Sequence, residues 1–336
     1  MASKRVLVLS PLTAELINAM LQANADGGDI GTVEVTTYQG GGRDELLEAV
    51  GQAEIIIGDY TFHNEMDQEV IKAASSCILI QQLSVGYQHI DVEEAARQGI
   101  PVANVAGANS IGVAEHTIMV TLACLKKLML QYAKTMSGQW AQDEMANYGV
   151  FELFGKTIGI VGMGRIGREV AIRAKAFGCN VIYSDANRLA EPDEQELGAT
   201  FRTLEELLAE ADVVTLHVPL TPETELLINE ERISLMKQTA VLVNVARGEV
   251  IDENAVAAAL AEGRLGGAGI DVFSVEPVTQ DNPLLHSPNT IVTPHTAGAT
   301  NESRMRIIMS AMANVVSVLK GQTPENIVNG VEPRLE

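Results

Sequence analysis

Short apolar runs rich in Val and Ile alternate along this chain with stretches in which apolar positions recur at helical spacing. In the first hundred residues the runs fall at 6–9, 33–37, 54–58, 78–82 and 102–104, with amphipathic stretches such as 13–23, 44–50 and 92–97 between them. A second series begins near residue 157, with runs at 157–161, 180–184, 212–217, 240–245, 267–271 and 290–293. Strand–helix alternation with β-branched runs means parallel strands covered on both faces. The pattern therefore predicts an α/β protein with two doubly wound parallel sheets, of five and six strands. One long helical pattern, 112–136, separates the two series, and an amphipathic helix over 301–320 ends the chain. A single helix makes no core of its own, so this last one must return to one of the sheets. Small residues at 106–110 and 296–300 mark two passages between the halves, as a hinged cleft enzyme requires.

Composition narrows the function classes. With 336 residues and 46% hydrophobic content the chain supports a large core, more readily as two domains than one. Its net charge of −21 argues against nucleic acid or an anionic membrane as partner, because phosphate binding needs clustered cations. The acidity is densest at 191–210, where seven acids face one Arg. Three widely spaced cysteines (Cys77, Cys124, Cys179) fit a reducing compartment and provide no metal framework. The N-terminus enters an apolar run without a signal-peptide layout, and the apolar stretch 111–130 is interrupted by Glu115, His116, Lys126 and Lys127. The expectation is a cytoplasmic protein with no metal, membrane or nucleic-acid partner.

Residues 157–167 read as a buried strand running into Gly162-Met-Gly164-Arg165-Ile166-Gly167 and then into a helix. In such a fingerprint the first glycine permits the turn, the second lets the backbone approach a pyrophosphate, and the third lets helix and strand pack closely. The next strand ends in Asp185, 18 residues beyond Gly167, where a carboxylate can bind ribose hydroxyls and repel a 2′-phosphate. NAD is the expected cofactor, although Arg188 is close enough in sequence to meet a 2′-phosphate.

Three polar residues follow successive strands of the second series: Arg247, Glu276 and His295. Carboxyl ends of parallel strands open onto the ligand crevice, so these can converge although far apart in sequence. Oxidising a hydroxyl by hydride loss needs a base, for which His is suited; a carboxylate can orient the imidazole, and Arg offers a fork for a carboxylate or carbonyl. Taken singly, each residue has an ordinary structural reading as a surface cation, a loop acid or a structural histidine.

Taken together, these motifs resemble the D-isomer-specific 2-hydroxyacid dehydrogenase family along essentially the whole chain. The matching pieces are 85–91, 113–117, 162–167, 217–221, 243–248, 269–273 and 293–298. The resemblance implies a flavodoxin-like substrate-binding domain, 1–106 plus 299–336, and a Rossmann NAD-binding domain, 107–298, with a cleft between and a homodimer formed through the long helix after residue 110. It assigns the catalytic roles to Arg247, Glu276 and His295. Substrate binding falls to Ser84, Val85, Gly86 and Arg247, the loop backbone holding the substrate carboxylate. Cofactor contacts fall to Val113, Gly162, Gly164, Arg165, Ile166, Gly167, Asp185, His217, Val218, Pro219, Thr224, Val245, Ala246, Asp271, His295, Ala297 and Gly298, with Asp271 facing the nicotinamide carboxamide. Gln88 departs from the Asp or Asn frequent at that point of the family's substrate loop.

The implied activity is NAD-dependent interconversion of a small D-2-hydroxy acid and its 2-oxo acid. Ser84-Val85-Gly86 resembles the glyoxylate/hydroxypyruvate reductase branch, and Tyr60, Thr61 and Phe62 are candidates for substrate side-chain contact or for core packing. Phosphoglycerate is disfavoured, because no second cationic cluster is evident for its phosphate. Two other functions stay open on the motifs: a formate dehydrogenase, against which Glu276 argues since those enzymes pair the histidine with Gln, and an NAD-sensing corepressor or scaffold on the same fold.

Overall fold

A computed structural model describes residues 3–38 and 40–334. The chain divides into two compact units, Met1–Asn109 with Asn301–Glu336, and Ser110–Thr300.

The sheet of the first unit contains β1 (Lys4–Val8), β2 (Val33–Thr37), β3 (Ile55–Ile57), β4 (Leu79–Gln81) and β5 (Val102–Ala103), in the order β2-β1-β3-β4-β5, all parallel. Side chains alternate between faces, and both faces are buried: Val6, Val8, Ile55 and Ile57 join one apolar cluster, while Leu7, Leu9 and Ile56 join the other. The helix Asn301–Leu319 covers the first of these clusters through Ala311, Met312, Val315, Val316 and Val318. A terminal helix that follows the whole of the second unit in sequence thus completes the core of the first sheet.

The sheet of the second unit contains β6 (Thr157–Val161), β7 (Asn180–Ser184), β8 (Ala199–Phe201), β9 (Val213–Leu216), β10 (Val241–Asn244), β11 (Gly267–Ile270) and β12 (Thr290–Val292). Their order is β12-β11-β10-β9-β6-β7-β8, again parallel throughout. The doubly wound parallel class expected from the sequence is therefore present in both units, with one more strand in the second than the pattern predicts. The additional strand, β8, is a three-residue edge segment that starts directly after the left-handed Gly198. Its single buried side chain, Ala199, gives no run of apolar residues to read.

The helix predicted over 112–136 is broken in two, Ser110–Leu125 and Leu128–Met136, at Lys127, whose φ is +52°. Burial accounts for the break. The first helix inserts Val113, Ala114, Ile118, Val120, Cys124 and Leu125 into the core of the second sheet, whereas the second buries no residue. Lys127 turns the chain outward and donates from Nζ to the Gly266 carbonyl at 3.1 Å. Among the described residues no helix is long and apolar enough to cross a membrane, and no three His, Cys, Asp or Glu side chains come together as a metal set.

Candidate active site

Strand order in the second sheet reverses between β6 and β9, the place where the carboxyl ends of the strands in a doubly wound sheet receive a ligand. Gly162 follows β6 there with φ +94°, a conformation that L side chains rarely adopt. A Cβ on it would also lie 2.8 Å from the carbonyl carbon of His217, which follows β9. Gly167 is constrained by space, since a Cβ would come within 2.2 Å of the Gly162 carbonyl oxygen. Around Gly164 the opposite holds: its Cβ position meets nothing within 4 Å. Gly164 is the N-cap of the helix Arg165–Ala176 and supplies no side-chain cap, so the first turn presents backbone amides to an open space. An open concavity over an uncapped helix start fits a pyrophosphate.

Asp185, after β7, accepts from the Met163 amide at 2.7 Å and the Asn187 amide at 2.9 Å, which ties it to the glycine turn. A carboxylate has further lone pairs, so ribose hydroxyls can still be received. Val113, Met163, Val245 and Ala297 are buried in one apolar cluster, with Ile166 packed against it. Four separate segments that carry expected cofactor contacts therefore contribute to one apolar cluster. Thr224 donates to the Pro219 carbonyl at 2.6 Å and accepts from Thr221, which closes the turn after Val218. Both ring nitrogens of His217 are buried without a partner among the described residues, and burial pushes its pKa down to about 3. Its imidazole is neutral at ordinary pH.

Arg247, Glu276 and His295 follow β10, β11 and β12, three adjacent strands. His295 Nδ1 lies 2.7 Å from Glu276 Oε2, while Glu276 Oε1 accepts from the Phe273 amide at 3.0 Å. An ionised carboxylate can only accept, so Nδ1 carries the proton of the neutral ring and Nε2 keeps a lone pair for exchange. His295 has φ +53°, an uncommon conformation that the surrounding loop must hold in place. Arg247 donates from Nη1 to the Ala246 carbonyl at 2.6 Å. Asn244 fixes the turn beneath it, donating to the Arg247 carbonyl at 2.8 Å and accepting from the Ala246 amide at 3.1 Å. No bulkier residue than glycine fits next to Arg247, since a Cβ on Gly248 would sit 1.9 Å from the Phe273 carbonyl carbon.

Asp271, just beyond β11, is buried with several partners of its own. It is 1% exposed, and its carboxylate accepts from the Thr293 hydroxyl at 2.5 Å and from the Thr296 and Ala297 amides at 2.9 and 2.8 Å. Its carbonyl also accepts from the His295 amide at 2.7 Å. Asp271 thus holds both sides of the segment that carries His295. The Thr293 proton is committed to that carboxylate, so the Thr293 oxygen must accept from His116 Nε2, 3.1 Å away on the helix Ser110–Leu125. Burial lowers the pKa of His116 and Asp271 opposes the shift. Asn244, Thr293 and His116 lie inside the matching motif pieces but were given no role there; Asn244 is a buried polar group at the end of β10, Thr293 follows β12, and His116 sits on the helix Ser110–Leu125.

Thr293→Val is expected to lower kcat about tenfold with KM little changed, because a lost buried hydrogen bond costs roughly 1–3 kcal/mol and loosens the His295 loop. Thr293→Ser, which keeps the hydroxyl, should restore most of the rate; equal losses in both variants would contradict the role of that hydroxyl.

In the first unit, Ser84, Val85 and Gly86 follow β4 on a loop braced from within. Gln82 Nε2 donates to Ser84 Oγ at 2.7 Å, and Ser84 Oγ donates to the Gly86 carbonyl at 2.6 Å. Asn104 Nδ2 donates to the Val85 carbonyl at 2.8 Å, so the loop's acceptors are taken up internally. Tyr60 and Phe62 are exposed at 42% and 38%, on a loop tied by Asp59 to Thr61 and Asn64. Phe62 nevertheless packs edge-on against the buried His89, with ring centroids 4.7 Å apart.

Comparison with known proteins gives the family. Residues 118–297 match the family model of the D-isomer specific 2-hydroxyacid dehydrogenase NAD binding domain. A glyoxylate reductase from Korarchaeum cryptofilum is 40% identical over 286 residues, which span 84% of this chain and 85% of that one. A D-3-phosphoglycerate dehydrogenase from Methanocaldococcus jannaschii is 38% identical over 325 residues, 97% of this chain but 59% of its own. Among solved structures, a glyoxylate reductase from Paecilomyes thermophila superimposes with a TM-score of 0.84 at 30% identity, covering 98% of this chain and 99% of that one.

Proposed function

The chain belongs to the D-isomer-specific 2-hydroxyacid dehydrogenase family and is an NAD-dependent dehydrogenase, and on that premise we propose that it interconverts a small D-2-hydroxy acid with its 2-oxo acid, glyoxylate and hydroxypyruvate being the favoured oxo acids. The observation that carries this reading is the 2.7 Å contact between His295 Nδ1 and Glu276. It leaves Nε2 as the proton-exchanging atom and sets a counter-charge against the ring when both nitrogens are protonated.

A dinucleotide held by the second unit would supply or accept the hydride. In reduction, His295 delivers its Nε2 proton to the carbonyl oxygen, and Nδ1 keeps its proton, donated to Glu276. In oxidation the same nitrogen takes the hydroxyl proton. Arg247 binds the substrate carboxylate and polarises the carbonyl through its planar fork. Ser84, Val85 and Gly86 are the first unit's backbone donors for a substrate carboxylate. The amides of Gly164–Gly167 hold the pyrophosphate, Asp185 binds the ribose, and the wall of Val113, Val245 and Ala297 excludes water from the nicotinamide side. His217, Val218, Pro219, Thr224, Ala246 and Gly298 complete the cofactor surface. Asp271 contributes by holding the His295 loop.

Homodimerisation belongs to the same proposal. Leu128, Met129, Tyr132 and Met136 are all more than half exposed on a helix that buries nothing, an apolar surface suited to a second copy of the chain.

Initial rates of NADH oxidation with glyoxylate, hydroxypyruvate, pyruvate and formate-directed NAD reduction separate the readings. Turnover confined to 2-oxo acids is expected; NAD reduction by formate alone would overturn the proposal.

A further inference from the structure

Helix Glu191–Leu197 begins with three acids, Glu191, Asp193 and Glu194, six residues after Asp185. Two of these acids hold cations. Arg168 Nη2 lies 2.8 Å from Asp193. Arg188 places Nε and Nη2 on the two oxygens of Glu194, at 2.9 and 3.1 Å, with its guanidinium 5.4 Å from the Phe201 ring centroid. Glu194 Oε1 also accepts from the hydroxyl of Tyr183, on β7, at 2.7 Å, and that hydroxyl accepts in turn from the Leu189 amide at 2.9 Å.

The pair is unequal in setting: the Glu194 side chain is 13% exposed and that of Arg188 is 64% exposed. An exposed ion pair would be weak and easily exchanged. Here the carboxylate is anchored beneath by the tyrosine, so withdrawing Arg188 leaves a largely buried anion without its counter-charge, which is costly. Arg188, tied to Tyr183 in this way, and Asp185 flank the turn at the end of β7, where a dinucleotide fold discriminates ribose hydroxyls from a 2′-phosphate.

We propose that Glu194 is a specificity-determining residue acting through Arg188. By occupying the guanidinium fork it withholds the cation that a 2′-phosphate needs, and its own charge adds to the repulsion from Asp185. The nearby cation then does not open the site to the 2′-phosphorylated cofactor, and NAD is selected. This rests on the cofactor assignments made for the second unit under the proposed function, and requires no turnover.

The test uses calorimetric titration of the full chain with ADP and with adenosine 2′,5′-bisphosphate. Glu194→Gln keeps an acceptor oxygen for the Tyr183 hydroxyl while removing the charge. It is expected to tighten bisphosphate binding roughly tenfold, one charge-assisted contact's worth, with ADP affinity within about twofold of the original. Adding Arg188→Ala to it should abolish the gain. Unchanged bisphosphate affinity in Glu194→Gln, or a gain that survives in the double variant, would overturn the proposal. A chain that reduced no 2-oxo acid but showed the expected titrations would refute the catalytic reading and uphold this one. A wild-type chain that bound neither nucleotide would overturn both.

Discussion

Replacing His295 with alanine is expected to lower kcat for 2-oxo acid reduction by about 10²–10⁴-fold, the range that a positioned acid–base group contributes. The reason is local. Nδ1 is engaged by Glu276 at 2.7 Å, so the ring offers a single nitrogen for proton transfer, and alanine offers none. Glu276→Gln should cost less, because the Phe273 amide retains an acceptor while the imidazolium loses its counter-charge. Steady-state kinetics together with NADH titration separate the effects: the NADH Kd should change little in both variants while kcat falls. A His295→Ala protein with undiminished kcat would instead favour a sensing or scaffold role, in which the site binds NAD without turning over.

Arg247→Ala is expected to lower kcat/KM by about 10²–10⁴-fold, since two charge-assisted hydrogen bonds to a carboxylate are worth roughly 1.5–3 kcal/mol each. Lysine should recover only a small part, having the charge but not the planar fork. The turn that presents Arg247 is fixed independently by the fully buried Asn244 and by the close approach of Gly248 to Phe273, so Arg247→Ala leaves its scaffold in place. The loss should therefore appear without a fall in melting temperature. An equal drop in thermal stability and activity would point to a structural role for the guanidinium instead.

Much of the fold was legible because parallel strands buried on both faces write themselves as unbroken apolar runs, such as Ile55-Ile56-Ile57. β8 was not, because an edge strand with one buried side chain has no such run. The break at Lys127 was hidden for a different reason. Neither Gly nor Pro marks it, and helical spacing continues through it; burial changes across it, which is a property of the folded chain. Arg247, Glu276 and His295 stood out as charged or ionisable groups just beyond strands. The residues that hold them did not. Thr293 and His116 are 177 positions apart, and only the fold brings their hydrogen bond into being.

The acidic stretch at 191–210 changes most between sequence and structure. As composition it is a diffuse surplus of charge. In the fold, Glu206 forms a reciprocal capping box with Thr203, Asp193 pairs with Arg168, and Glu194 engages Arg188 and Tyr183. These acids serve particular local ends that the charge count did not reveal.

The central claim is hydride transfer from NADH to a 2-oxo acid, with the proton delivered by His295. The most direct measurement incubates the protein with NADH and hydroxypyruvate and resolves the product by chiral chromatography. The expected result is D-glycerate formed mole for mole with NADH consumed, and its loss in His295→Ala. Formation of the L isomer, or product formation that persists at full rate in His295→Ala, would contradict it.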